Sequence, residues 1–396
     1  MRPALNLDPA NGSGRTDWHR YRTEFPIFRT ATYFNTCSLG ALSTRVAAAM
    51  AAFTRLWDES GAAAWYGPWW DELRLLRERC AAVIGAGVDE VALFPSITAA
   101  LTAVSSAFAY RERPRVVLSD LEFPTTVYQW STKSSLGVEV TMLTSPDRMT
   151  VPLASYERAV DGRTQLVVGS HVYFTSGMIQ DIVALAHVAH ARGAYCLIDA
   201  YQSIGQLPTD VHTAGVDFLV AGGLKWLLGG PGTAFLYVRR DLIDRLHPHD
   251  VGWFAHADQF GFDVRRFTYA ADARRFEGGT PSVAATYAAR AGLEVVLEVG
   301  VDALRERQVA LVAALVEGAR RRGLDPRVPG RIEDLAGIVT IPRREPQAVV
   351  KALAARGIII DSRPGLIRLS PYFYNLPEDG DRVLDAIVDL DRAGIR

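Results

Sequence analysis

Lysine is nearly missing from this chain: Lys133, Lys225 and Lys351 are its whole complement, although lysine and arginine together number 43. Almost every cation is therefore arginine, which stays charged and cannot act as an amine nucleophile. Cysteine is as scarce. Cys37, Cys80 and Cys196 are odd in number, far apart and in no CxxC or Cys/His spacing, which argues against a disulfide framework and against structural zinc. Neither sign of charge dominates: the formal net charge is -1, so no basic surplus points to nucleic acid or an anionic membrane as partner. No apolar run is long enough to span a bilayer, and the opening MRPALNLDPANGSGRTDW has no signal-peptide core. The expected location is cytoplasmic.

What is present is enough apolar sequence, 49% of 396 residues, to bury a large core and support one large domain and a smaller one. After a polar lead of about a dozen residues, ATYFNTCSLG (31–40) reads as an extended segment and turn before a helix over Ser43 to Trp57. From Val91 to Val238 short β-rich runs alternate with helical ones: VALF, VVLSD, VEVTML, QLVVGSHV, AYCLIDA, DFLVAGG and TAFLYV. That alternation predicts an α/β fold with a mostly parallel sheet covered on both faces. Helices over Ala284 to Val299 and Val301 to Arg322 lead into a second set, IVTIPR, QAVVKALAARG, III, LIRLS and a final helix, which predicts a smaller C-terminal α/β domain. The expected division is an N-terminal segment (1–30), a large domain (31–280) and a small domain (281–396).

Lys225 sits in VAGGLKWLLGGPG (220–232), among apolar residues and glycines. A desolvated lysine there loses its proton and forms a Schiff base; a snorkelling lysine at a strand edge is the other reading. In open parallel sheets ligands bind at the carboxyl ends of strands, and three strand ends carry chemistry. Asp199 closes AYCLID and either caps the next helix or faces a pyridine nitrogen, the carboxylate that pyridoxal 5'-phosphate (PLP) needs if its ring is to act as an electron sink. Gln202 follows within reach of a phenolic oxygen. Ser96-Ile97-Thr98 opens a helix, either as an ordinary cap or as a phosphate site built from free amides and a hydroxyl. Phe123, after VVLSD, is a core residue or a platform for a flat ring.

Taken in order, SIT (96–98), EFP (122–124), SHVYFTSG (170–177), DAYQ (199–202), GGLK (222–225), RFEGGTP (275–281) and IRLSPYFYN (367–375) resemble class V of the PLP-dependent aminotransferase superfamily, which includes cysteine desulfurases, isopenicillin N epimerase-like proteins, C-S lyases and kynureninase. The resemblance runs from about Tyr33 to the C-terminus. It implies the fold type I architecture, with a seven-stranded large-domain sheet, and a homodimer sharing active sites between subunits. By the resemblance Lys225 is the Schiff-base lysine, Asp199 the pyridine-nitrogen partner and Gln202 the phenolic-oxygen contact. Ile97 and Thr98 form the phosphate cup, Phe123 stacks on the ring, and Thr280 reaches the phosphate of the other subunit. Arg368 clamps the substrate carboxylate, with the turn Asn35–Thr36 and Ser38 on the substrate side.

Departures from the family pattern narrow the chemistry. Desulfurases carry a nucleophilic cysteine upstream of the arginine clamp, and none occurs between Gly323 and Leu366. Phe123 and Leu224 stand where desulfurases have histidines, and Gly222 where a serine often binds phosphate. Phe174 occupies the usual asparagine position, which leaves Tyr173 or Thr175 to take over that contact. His171 is expected to be packed and satisfied, and Tyr66, Trp69, Trp70 and Trp253 either line a pocket for a bulky substrate or belong to the core. The expected activity is β-elimination on an S-conjugated cysteine. Transamination, decarboxylating deamination and epimerisation are the alternatives within the family, and outside it a non-catalytic PLP-fold sensor or an aldolase-type Schiff-base enzyme without PLP.

Overall fold

The computed structural model describes residues 16–395, so most of the polar lead lies outside the described residues. A two-residue strand, β1 (Thr32–Tyr33), precedes the helices Thr44–Ser60 and Pro68–Val83. The large sheet follows: β2 (Val91–Phe94), β3 (Arg115–Ser119), β4 (Glu139–Leu143), β5 (Thr164–Ser170), β6 (Tyr195–Asp199), β7 (Phe218–Gly222) and β8 (Ala234–Val238), in the order β2-β8-β7-β6-β5-β3-β4. Each of the seven β-rich runs became a strand. Only β8 runs against the others, pairing antiparallel with both β2 and β7.

Strand geometry explains why both faces need cover. Successive side chains point to opposite faces, so Val116 and Leu118 enter one core while Val117 enters the other, and Leu197 lies opposite Cys196 and Ile198 in the same way. Helix Ile97–Ser106 packs on the first face and Ile182–His190 on the second. The helix Val283–Val299 lies against Thr44–Ser60 and Pro68–Val83.

The C-terminal unit is a three-stranded antiparallel sheet of β9 (Val339–Pro342), β11 (Asp361–Arg363) and β12 (Leu366–Leu369), in the order β11-β12-β9, with the short strand β10 (Ile358–Ile359) beside it. Helices Val301–Arg321, Pro346–Ala354 and Pro377–Arg392 accompany it. β1 pairs in parallel with β10, and Asn35 bridges to Ser370. The segment after β1 therefore runs from the small sheet to the centre of the large one, where the Gly40 amide donates to the Leu224 carbonyl (2.9 Å). Among the described residues, no helix is long and apolar enough to cross a membrane.

Candidate active site

The carboxyl ends of β2, β3, β5, β6 and β7 converge on a cavity of about 290 Å³, lined among others by Ile97, Thr98, Phe123, Phe174, Asp199 and Lys225. Lys225 follows β7 by three residues and is only 8% exposed. Its Nζ lies 4.5 Å from the centre of the Tyr201 ring and 5.9 Å from that of Phe123. Burial brings the ammonium down to about 8, although Asp199 pulls the other way. Asp199 is buried at the end of β6, and burial raises its pKa; the Tyr201 amide (3.0 Å), the Lys225 charge and the Thr126 hydroxyl (3.2 Å) oppose that rise. The cavity thus holds an amine that is easily neutralised and a carboxyl with three groups favouring its charged form.

Helix Ile97–Ser106 begins at the cavity edge, where the Ser96 side chain accepts from the Ala99 amide (3.3 Å). The Ile97 and Thr98 amides before it have no intrahelical acceptor and sit at the positive end of the helix dipole. Thr233 adds a buried hydroxyl with no hydrogen-bond partner among the described residues, on the same cavity wall. Gly222 is required by close approach: an added Cβ would overlap the Tyr201 ring and meet the Thr233 carbonyl at 2.7 Å. A serine at 222 has no room here.

Several expected residues stand elsewhere than the sequence suggested. Gln202 reaches the cavity wall, but its amide donates to the Cys37 carbonyl (3.0 Å) and accepts from the Trp226 indole (2.9 Å). Thr175 lies off the wall: the Gly177 amide closes a turn on the Tyr173 carbonyl (2.8 Å), and this turn presents Phe174 to the cavity. Among the described residues the Thr175 hydroxyl and His171 Nδ1 are buried without hydrogen-bond partners, so His171 is packed but its Nδ1 is not satisfied. Burial lowers its pKa to about 4 and keeps it neutral. Thr280 is exposed and lines a neighbouring groove that shares Pro95, Gly232 and Thr233 with the cavity. Trp69 packs with Phe53 and Tyr287, Trp70 stacks on Phe254 and Trp253 on Phe262, while Tyr66 is 89% exposed; none of these aromatics lines the Lys225 cavity.

Arg368 is not among the residues lining the cavity. Its side chain is fully enclosed one layer behind Phe174, donating from Nη1 to the Phe174 carbonyl (2.5 Å) and from Nη2 to Ser38 Oγ (3.0 Å) and to Asp361. Ser38 also bonds Asp361, Asn35 bridges to Ser370, and Thr36 Oγ1 pairs with the Tyr374 hydroxyl (2.6 Å). Asp361 was not foreseen. Against burial, which pushes its carboxyl up, the Ser38 hydroxyl and the two guanidiniums of Arg368 and Arg363 hold it at about 2.

The profile of the aminotransferase class-V family matches residues 67–379. The uncharacterized aminotransferase YcbU of Bacillus subtilis (strain 168) is 36% identical over 373 residues, covering 93% of this chain and 96% of that relative. The chain belongs to the class V aminotransferase family. A kynureninase of Deinococcus radiodurans is 31% identical over 410 residues, covering 98% of this chain and 97% of its own. In fold, the apo cysteine desulfurase from Thermococcus onnurineus NA1 superimposes with a TM-score of 0.86 at 21% identity, over 96% of this chain and 99% of that one. The cystine C-S lyase C-DES in complex with cysteine persulfide does so with a TM-score of 0.84 at 20% identity, over 92% and 99%.

The cofactor of this class V chain is PLP, and the residues present fit it. Lys225 offers a neutralisable amine, Asp199 a buried carboxyl, Phe123 an aromatic ring on the cavity wall, and Ile97, Thr98 and Thr233 donors for an anion. Thr233, Thr126, Tyr201 and Asp361 escaped the sequence reading. The one signal for Thr233 was its place directly after the glycine run.

Proposed function

We propose that the protein is a lyase that eliminates the β-substituent of an S-conjugated cysteine. The observation that carries the reading is Lys225: an enclosed amine whose proton affinity is brought down to about 8, facing an aromatic-walled cavity. PLP supplies the electron sink for carbanion chemistry at the substrate α-carbon. Lys225 Nζ takes the proton from Cα, acting close to its own pKa, where a general base is most effective. Asp199, which accepts from the Thr126 hydroxyl and the Tyr201 amide, would hold the protonated pyridine nitrogen of the bound cofactor. Phe123 and Tyr201 exclude water around Nζ. With the proton removed, the Cβ–S bond would break and the thiol leave, and uptake of one water would complete the conversion to keto acid and ammonia. Cys37, Cys80 and Cys196 are all buried, which supports elimination over a mechanism that needs an exposed thiol nucleophile.

The roles of Ile97 and Thr98 as phosphate cup, of Gln202 and Thr175 near the phenolic oxygen, and of Thr280 as a donor across a homodimer interface belong to the same reading, as does a cytoplasmic location. Transamination is the second reading, favoured by the aminotransferase name of the Bacillus subtilis relative. The deciding experiment records the visible band of the holoenzyme with a cysteine S-conjugate while thiol and pyruvate are assayed. Release of both supports the lyase. Bleaching to the pyridoxamine form without thiol moves the reaction to transamination, and a protein that PLP cannot colour removes both readings.

A further inference from the structure

Glu122 is a buried carboxyl that the elimination does not use. It lies in the turn after β3 and accepts from two hydroxyls, Ser119 (2.7 Å) on one oxygen and Ser170 (2.5 Å) on the other. Ser119 ends β3 and Ser170 ends β5, so this one side chain joins two strands that are neighbours in the sheet. A carboxyl that accepts on both oxygens is satisfied as an anion.

Three groups at the cavity depend on that junction. Phe123 follows Glu122 directly and stands on the cavity wall. Helix Pro124–Ser131 starts at the next residue, and from it Thr126 donates to Asp199 Oδ2 (3.2 Å). Ser170 is paired with Asp199 in the parallel register of β5 and β6, and it also lines the cavity. Glu122 is therefore bonded to the residue beside Asp199 and sits at the root of the helix that hydrogen-bonds Asp199.

The titratable groups that face Glu122 come from three elements. Tyr156, on helix Leu153–Ala159, and Tyr173, in the turn after β5, are phenols that burial raises, so both stay neutral. Asp199, at the end of β6, is a like charge. Burial pushes the Glu122 carboxyl up to about 7 against the Ser170 and Ser119 hydroxyls, and Asp199 adds to the rise. Two neighbouring buried anions repel, and a cation placed at one relieves both. The protonated ring nitrogen at Asp199 is such a cation.

Resting on the reading of Asp199 given above but not on the reaction, we propose that Glu122 is a positioning residue for the cofactor: it fixes the turn that carries Phe123 and Thr126, and its negative charge strengthens the hold of Asp199 on the protonated ring nitrogen. By reciprocity, binding the cofactor makes Glu122 a stronger acid, so PLP and the Glu122 proton compete.

The test is PLP affinity against pH, read from the visible band of holoenzyme equilibrated with limiting free PLP. Glu122→Gln keeps the size and the hydrogen-bonding capacity and removes the charge. It is expected to weaken PLP binding roughly tenfold at about pH 8, the effect of displacing the carboxyl by about one unit. At about pH 5.5 the native carboxyl is itself protonated, and the two proteins are expected to bind alike. A loss equal at both pH values belongs to packing alone and overturns the proposal, as does no loss at all. Should Glu122→Gln fail to fold, Ser170→Ala carries the test, because it removes a donor that favours the anion. Its PLP binding is expected to weaken a few fold between about pH 6 and 8 and to match the wild type well below and well above that window; a difference independent of pH, or none, overturns the proposal. Failure of the Asp199 reading looks different, since Asp199→Asn then keeps the wild-type PLP affinity at both pH values. Failure of the lyase reading leaves all these affinities as expected and shows only as a cysteine S-conjugate that yields no thiol or pyruvate.

Discussion

Replacing Lys225 by methionine, of similar length and apolar, is expected to make the apoprotein more stable while abolishing its activity. In the unfolded chain the amine titrates near 10.5, and in the fold burial lowers it to about 8. Below pH 8 the amine is protonated in both states, and the fold bears the full cost of enclosing a charge. Between pH 8 and 10.5 the unfolded chain binds the extra proton, so wild-type stability rises with pH across that window. A displacement of about 2.5 units corresponds to about 3 kcal/mol at pH 6.5, and about 1.4 kcal/mol of it is left at pH 9.5. Methionine removes the titration. Urea unfolding of both apoproteins at the two pH values is the assay, and the difference between their stabilities is expected to shrink by about 2 kcal/mol on going from pH 6.5 to 9.5. A difference that stays constant with pH would show that the amine is not desolvated in the fold, and the account of Lys225 as an easily neutralised base fails with it.

Three further outcomes follow from the same geometry. Gly222→Ser forces its Cβ into the Tyr201 ring and is expected to destabilise by about 1–3 kcal/mol, with a shifted cofactor band, measured by thermal unfolding and absorbance. Asp199→Asn keeps the hydrogen-bond partners Thr126 and Tyr201 in reach but removes the charge, so cofactor is still bound while kcat falls by roughly a hundredfold or more. Glu122 accepts from Ser119 (2.7 Å) and Ser170 (2.5 Å), and burial pushes its carboxyl up to about 7. The folded chain therefore holds more protons than the unfolded one between about pH 4.5 and 7, and stability falls as pH rises through that range. Glu122→Gln abolishes this slope, a gain of up to about 3 kcal/mol at pH 8 relative to pH 4 in unfolding experiments.

The sheet was legible because its signal is local. Runs such as QLVVGS and AYCLID are short, apolar and rich in β-branched or aromatic residues, as buried strands are, and Lys225 stands out in a chain that spells nearly all its other cations with arginine. Asp361 and Thr233 carry no such mark. Asp361 follows III directly and reads as the end of a strand, and it matters only because the hairpin register sets it opposite Arg368 and because a turn 323 residues earlier brings Ser38 to it. Thr233 reads as the first residue of a β run, and only its unpartnered hydroxyl on a cavity wall gives it a chemical role. Arg368 was recognisable by motif, yet its enclosure depends on the neighbours the fold supplies. Sequence periodicity reports which face a residue occupies; it does not report which distant residue will neutralise it.

The pairing of β1 with β10 also dictates when the site can exist during synthesis. Ile97, Phe123, Asp199, Lys225 and Thr233, the cofactor-facing residues of the cavity, all lie before Ala234. The cluster of Ser38, Asp361 and Arg368 joins residues separated by up to 330 positions, and contacts of such separation form late because the intervening chain must first be ordered. On the ribosome, the segment from Thr32 to Gly40 has no strand to pair with until Ile358–Ile359 emerges. A nascent or truncated chain ending before Asp361 thus contains the cavity residues around Lys225 and neither arginine of the β11–β12 hairpin, so the two halves of the site are made at different times.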